Sequence, residues 1–102
     1  MSSALPKAGS LELFTQRVPE VGMAEAMAER AERGGWDGIS LTDSQNLIGD
    51  PFIAMALGAK VTDRLKFMTG VTNPATRHPA ALATAIATVQ EVSGGRAILG
   101  IG

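Results

Sequence analysis

The chain contains no cysteine and no tyrosine. Without cysteine, disulfides and thiolate metal sites are excluded, so a packed core must hold any fold together. Aromatics amount to 4% of the 102 residues, with one Trp and three Phe. Charge of one sign is lacking too: nine Lys and Arg oppose ten Asp and Glu, for a net charge of −1. There is no basic patch with interleaved aromatics, which argues against nucleic acid as a partner. Apolar runs are short and interrupted by Gly, Thr and charge, so a membrane span is not expected. The opening MSSALPKAGS lacks the apolar segment of a signal peptide, and the default compartment is the cytoplasm. With a lone histidine and no neighbouring ligands, no metal site is expected.

Small and apolar residues fill the space. Hydrophobic residues make up 45% of the chain, enough for the core of one small domain. Twelve glycines suit an α/β protein, where helices pack closely on a sheet and loops use positive φ. LELFTQ, residues 11–16, reads as a first strand. In PEVGMAEAMAERAERGG, Met23, Met27 and Ala31 share one helical face with Ala24 and Ala28 beside them. Glu29 and Arg33 form an i,i+4 pair on the other face, and Gly34 and Gly35 provide a left-handed stop.

WDGISLTD is a second strand, and Asp50 followed by Pro51 is an N-cap and first-turn pair. That pair opens a helix with Ile53, Ala54, Leu57 and Val61 on one stripe. RLKFMTGV is a third strand. Pro79 opens a helix to about residue 92, with Leu82, Ile86 and Val89 on one face, and AILGI is a fourth strand. The order is β-α-β-α-β-α-β, with strands expected at residues 11–15, 37–42, 65–71 and 96–101. Strand starts recur about every 26 to 31 positions, the spacing of a (β/α)8 barrel with parallel strands. Residues 1–10 read as a flexible leader and residues 11–102 as an incomplete barrel domain. The run RAILGIG stops at Gly102 without a polar tail, which reads as a truncation, since buried parallel strands need cover on both faces.

Loops that follow the carboxyl ends of parallel strands build active sites. TDSQNLIGDP and GVTNPATRHP are two such loops. Trp36 reads as core. Arg77 suits a surface acid better than a phosphate. His78 precedes a helix start and reads as a cap or an anion contact rather than a catalyst. Gly70, Asn73 and Asp43 each have a plain structural reading: a close helix–strand approach, turn chemistry at Asn-Pro, and a loop cap.

GGWDGISLTDSQNLIGDPF, LKFMTGVTNPATRHPAA and SGGRAILGIG together resemble the amino-terminal half of bacterial-luciferase-like flavin enzymes. Within that superfamily they are most similar to the coenzyme F420-dependent branch of methylenetetrahydromethanopterin reductases. The resemblance implies an α/β fold, the β1-α1-β2-α2-β3-α3-β4 part of a (β/α)8 TIM barrel. It also implies an oxidoreductase that transfers hydride between coenzyme F420 and a small organic substrate in a full-length form, for which a homodimer is an expected state. An FMN-dependent monooxygenase is the nearest alternative; a non-catalytic fragment that at most self-associates is another.

Carried over residue by residue, the resemblance makes Asp43, Ser44, Gly70, Val71, Thr72 and Asn73 cofactor contacts. Gly70-Val71 is then a non-proline cis peptide beneath the central ring. Related enzymes often place a catalytic histidine after the aspartate, where this chain has Ser44. A hydroxyl is no general acid near neutral pH, so Ser44 enters only as a cofactor contact and no catalytic residue is assigned. Alone, the chain is expected to be weakly stable and association-prone, with no measurable F420 or FMN affinity.

Overall fold

The computed structural model describes residues 10–102, so the expected leader lies outside the described residues except for Ser10. Four strands form one sheet: β1 (Phe14–Arg17), β2 (Gly38–Leu41), β3 (Lys66–Thr69) and β4 (Ala97–Ile98). They pair in sequence order, and each neighbouring pair is parallel. Three helices make the crossovers: α1 (Ala24–Arg33), preceded by a 3-10 turn at Val21–Met23, α2 (Pro51–Lys60) and α3 (Pro79–Ser93). The element order and the sequential parallel pairing are those expected for the β-α-β-α-β-α-β part of a (β/α)8 barrel.

Local chemistry sets the helix ends. The Asp50 carboxylate accepts the Ile53 amide at 3.0 Å, and Pro51 occupies the first turn, where its missing N–H costs nothing. At α3, His78 Nδ1 accepts the Ala80 amide at 3.1 Å, so the histidine is a cap. That helix ends at Gly94 with φ 67°. After α1 the left-handed residue is Gly35, at φ 85°, whereas Gly34 stays right-handed at φ −76°.

The core lies between the helices and one face of the sheet. Ile39, Leu41 and Phe67 come from the strands, with Leu65 just before β3; Ala24, Ala28 and Ala31 come from α1, Phe52, Met55 and Ala59 from α2, and Leu82 and Val89 from α3. Several expectations change here. Ile53 and Val61 are 54% and 37% exposed, because α2 buries Phe52, Met55 and Ala59 instead. Met23 is 51% exposed and Trp36 38%; both lie outside α1, which meets the core through Ala24, Ala28 and Ala31 with Met27 packed beside them. Glu29 and Arg33 form no ion pair among the described residues; both are exposed.

The first strand starts three residues later than expected, and Leu11 and Leu13 are exposed. Pairing begins with Phe14 opposite Gly38, where a Cβ would lie 2.2 Å from the Phe14 ring. Only glycine admits the ring at that position. Two polar groups fasten the bottom of the sheet. The Glu32 carboxylate accepts the successive amides of Asp63, Arg64 and Leu65, at 3.0, 2.8 and 2.9 Å. Arg96 is buried and donates to Ser93 O, Thr62 Oγ1, Leu65 O, Ala59 O and Thr62 O.

Candidate functional site

In the parallel sheet β2 and β3 end at the same edge, so the loops that follow them meet there. Contact is direct: Thr72 Oγ1 donates to Asp43 Oδ2 at 2.7 Å. Thr72 is fully buried, and its amide donates to Gly100 O at 2.9 Å, which brings in the segment after β4. Thr69 strengthens the same seam. Its hydroxyl donates to Gly100 O at 2.8 Å and accepts from the Gly100 amide at 2.9 Å.

Asp43 is the hub. Its side chain is 2% exposed and takes bonds from Thr72, from Gln45 Nε2 at 2.6 Å, and from Arg77 at 3.3 and 3.4 Å. Burial alone pushes its pKa up. The Thr72 hydroxyl, the Arg77 guanidinium and the Gln45 amide outweigh that effect and hold the carboxyl below its ordinary value. Arg77 meets acids, as its sequence reading favoured, but not only at the surface: it pairs with the buried Asp43 side chain and, at 2.6 Å, with the partly exposed Asp50. Its pKa is affected first by burial, which lowers it, but the two carboxylates raise it overall.

Ser44 is half-buried, and its carbonyl accepts the amides of Leu47 and Ile48 at 3.2 and 3.3 Å, forming a turn. The Gly70-Val71 bond is cis, as the resemblance implied. A Cβ on Gly70 would lie 1.9 Å from Ser40 Oγ. The close approach that requires glycine is therefore to a neighbouring strand, not to a helix. Val71 is 51% exposed. Asn73 Oδ1 accepts from the amides of Ala75 and Thr76 and from the Thr76 hydroxyl, which is the turn chemistry read for Asn-Pro. Its carboxamide nitrogen makes no hydrogen bond to a described group. Asp43, Ser44, Gly70, Val71, Thr72 and Asn73 thus gather at one end of the sheet.

The sequence reading missed Gln16 and Ser40. Gln16 Nε2 donates to Gly70 O at 3.1 Å, across 54 positions of sequence. Ser40 was visible as the one polar residue in the strand GISL. Thr42 Oγ1 is buried without a hydrogen-bond partner at the end of β2. Among the described residues no group of three His, Asp or Glu side chains is arranged to hold a metal.

The family described as luciferase-like monooxygenase matches residues 3–102. The 5,10-methylenetetrahydromethanopterin reductase of Methanolobus tindarius is 44% identical over 74% of this chain and 23% of its own length. The solved structure of the coenzyme F420-dependent tetrahydromethanopterin reductase of Methanopyrus kandleri gives a TM-score of 0.85 at 31% identity, over 92% of this chain and 27% of that one. The oxygenating constituent of 3,6-diketocamphane monooxygenase from Pseudomonas putida, in complex with FMN, gives a TM-score of 0.79 at 24% identity, a likeness of fold, over 91% and 29% of the two chains. The chain therefore spans only about a quarter of the length of these proteins.

Proposed function

From a chain that belongs to the luciferase-like monooxygenase family, we infer one wall of a deazaflavin site in an oxidoreductase that transfers hydride between coenzyme F420 and a small organic substrate. The observation that carries this reading is the Thr72–Asp43 bond, which joins the β2 and β3 loops at the carboxyl edge of the sheet. F420 is preferred to FMN because the 44% identical relative is a 5,10-methylenetetrahydromethanopterin reductase and the 31% identical one is a coenzyme F420-dependent tetrahydromethanopterin reductase. The FMN-bound neighbour shares only the fold.

The residues fit such a ring. Val71, half exposed at the carboxyl edge, offers an apolar contact for a ring face, and the carboxamide nitrogen of Asn73, in the same loop, makes no hydrogen bond to a described group. The Ser44 hydroxyl and the Asn73 carboxamide N–H groups are donors suited to ring carbonyls. Thr72 and Asp43 belong to the site as the tie that places Asn73 and Ser44. When bound, a deazaflavin supplies the hydride at C5; the protein contributes orientation and polarity. No side chain in these residues is assigned a proton-transfer role.

The test is a chimera in which residues 10–102 replace their counterpart in the Methanopyrus kandleri reductase. F420 binding should weaken about tenfold or more with Asn73→Ala or Ser44→Ala, the cost of lost hydrogen bonds in a desolvated site. A folded chimera that binds F420 equally well with both variants would sink the reading, and one that prefers FMN would favour the monooxygenase alternative.

The proposal extends to a cytoplasmic homodimer of the full-length form, tested in the chimera. Among the described residues no helix is long and apolar enough to cross a membrane. Its support is the outer groove between α2 and α3, lined by Phe52, Ile53, Leu57, Val89 and Val92 with Lys60 as the one charge; α3 carries none from Pro79 to Gln90. The outer face of α1, by contrast, carries Glu25, Glu29, Arg30 and Arg33. Val92→Glu should shift light-scattering mass from dimer to monomer; an unchanged mass would remove this groove as the contact.

A further inference from the structure

The loop after β2 begins and ends on a carboxylate. Asp43 follows β2, Asp50 caps α2, and residues 44–49 lie between them. One guanidinium holds both ends. Arg77 Nη2 lies 2.6 Å from Asp50 Oδ1 and 3.4 Å from Asp43 Oδ1, and Arg77 Nε lies 3.3 Å from Asp43 Oδ2. The guanidinium also sits 4.8 Å from the centroid of the Phe52 ring, in the first turn of α2. Arg77 itself belongs to the loop after β3, so its grip spans two loops and a helix start.

The other donors around the two acids bring no charge. Thr72 and Gln45 serve Asp43, and the Ile53 amide serves Asp50. Among the described residues no second cation forms an ion pair with either acid. Their side chains are 2% and 30% exposed, so water screens the pair poorly, at least on the Asp43 side. Without the guanidinium, two like charges would face each other across the stem of a short loop.

We propose that Arg77 is a positioning residue: by neutralising Asp43 and Asp50 together it latches the loop 44–49 closed at its stem and so fixes Ser44. The catalytic relevance of the latch rests on the deazaflavin reading above. The order of the loop does not, and it is measured without any cofactor.

The experiment is amide hydrogen exchange on the 102-residue chain, at a concentration where it is monomeric, comparing Arg77→Met, the double variant Arg77→Met/Asp50→Asn, and the unaltered protein. Methionine keeps much of the length and apolar stem of arginine without charge. Asparagine caps a helix about as well as aspartate, so α2 keeps its start while the repulsion is removed. Arg77→Met should speed exchange of the amides at 44–49 about tenfold or more, while the β2 and β3 amides keep their protection. The double variant should return loop exchange to within about threefold of the unaltered chain.

Unchanged loop exchange in Arg77→Met would overturn the proposal. Equal loss of protection in strands and loop would make Arg77 a support of the whole sheet, and overturn it too. A double variant no better than the single would show that charge is not the cause. If Arg77→Met alone fails to fold, a folded double variant with a protected loop supports the latch, and an unfolded one overturns it. A cofactor titration that fails in the chimera while the exchange pattern holds would strike the deazaflavin reading and leave the latch standing.

Discussion

Arg96 is a buried cation with no carboxylate within ion-pair distance among the described residues. Burial pushes its pKa down, yet its five donors all find oxygen: Ser93 O at 2.7 Å, Thr62 Oγ1 at 2.8 Å, Leu65 O at 2.9 Å, Ala59 O at 3.0 Å and Thr62 O at 3.1 Å. The Ala59 and Ser93 carbonyls lie in the last turns of α2 and α3, where a positive charge is favourable. An ammonium has three donors on a point charge and cannot reproduce that fork. Arg96→Lys should therefore cost about 2–3 kcal/mol, seen as a lower urea midpoint with an unchanged slope. Asp43 makes a second prediction. Its folded pKa lies below the unfolded value, so its contribution to stability is present above about pH 4 and fades as pH falls through the folded value. Asp43→Asn should be less stable than the parent at pH 7, and the gap should narrow at pH 3. Urea unfolding at both values checks it; a constant gap would show that the carboxylate charge is not what stabilises.

At the scale of elements, α1, α2 and β3 meet at Gly58. A Cβ there would lie 2.8 Å from Phe67 Cε1 and 2.9 Å from Ala28 Cβ. Alanine is the better helix former by about 1 kcal/mol, but overpacking at so close a contact costs about 1–3 kcal/mol. Gly58→Ala should thus destabilise on balance, and thermal unfolding gives the sign directly. The same helix explains why sequence reading caught only part of the buried face: Ala54 is buried and Leu57 packs against the core, but Ile53 and Val61 are exposed while Phe52, Met55 and Ala59 are buried. Phe52, Ile53, Ala54, Met55, Ala56 and Leu57 are apolar in succession, so periodicity does not single out a buried stripe. In α3, where threonines and alanines separate the larger residues, Leu82 and Val89 are buried as read. Helix starts were legible because caps are local: Asp50-Pro51 and His78-Pro79 carry their own geometry. Strand ends were not. Leu11 and Leu13 are as apolar as any strand residue, and only the partner strand, through Gly38, decides that pairing starts at Phe14. The candidate site divides in the same way. Its location at one sheet edge followed from alternating strands and helices, whereas the Gln16–Gly70 bond depends on how β1 and β3 flank β2.

For the molecule as a whole, β1 and β4 are the outer strands of a four-stranded sheet, and Ile98 at the end of β4 and Leu99 and Ile101 just after it are 39%, 37% and 51% exposed. A barrel has no such edges. Each large aliphatic side chain left in water forgoes about 1.5–3 kcal/mol of burial. These 102 residues alone should therefore unfold at low urea, associate as concentration rises, and show no saturable F420 or FMN binding at micromolar concentrations. Fluorescence titration and light scattering measure both properties; a monomer that binds either cofactor stoichiometrically would contradict them. The grip of Arg77 on both Asp43 and Asp50 has a further bearing, on how the protein can change over generations. A loop fastened at its base behaves as a replaceable part. Residues inserted between positions 45 and 48 meet mainly the entropy of closing a longer loop, about 0.6 kcal/mol for each doubling of length. Neither the sheet nor the start of α2 need move. New rims for new substrates can be tried there while the rest of the structure is left as it stands.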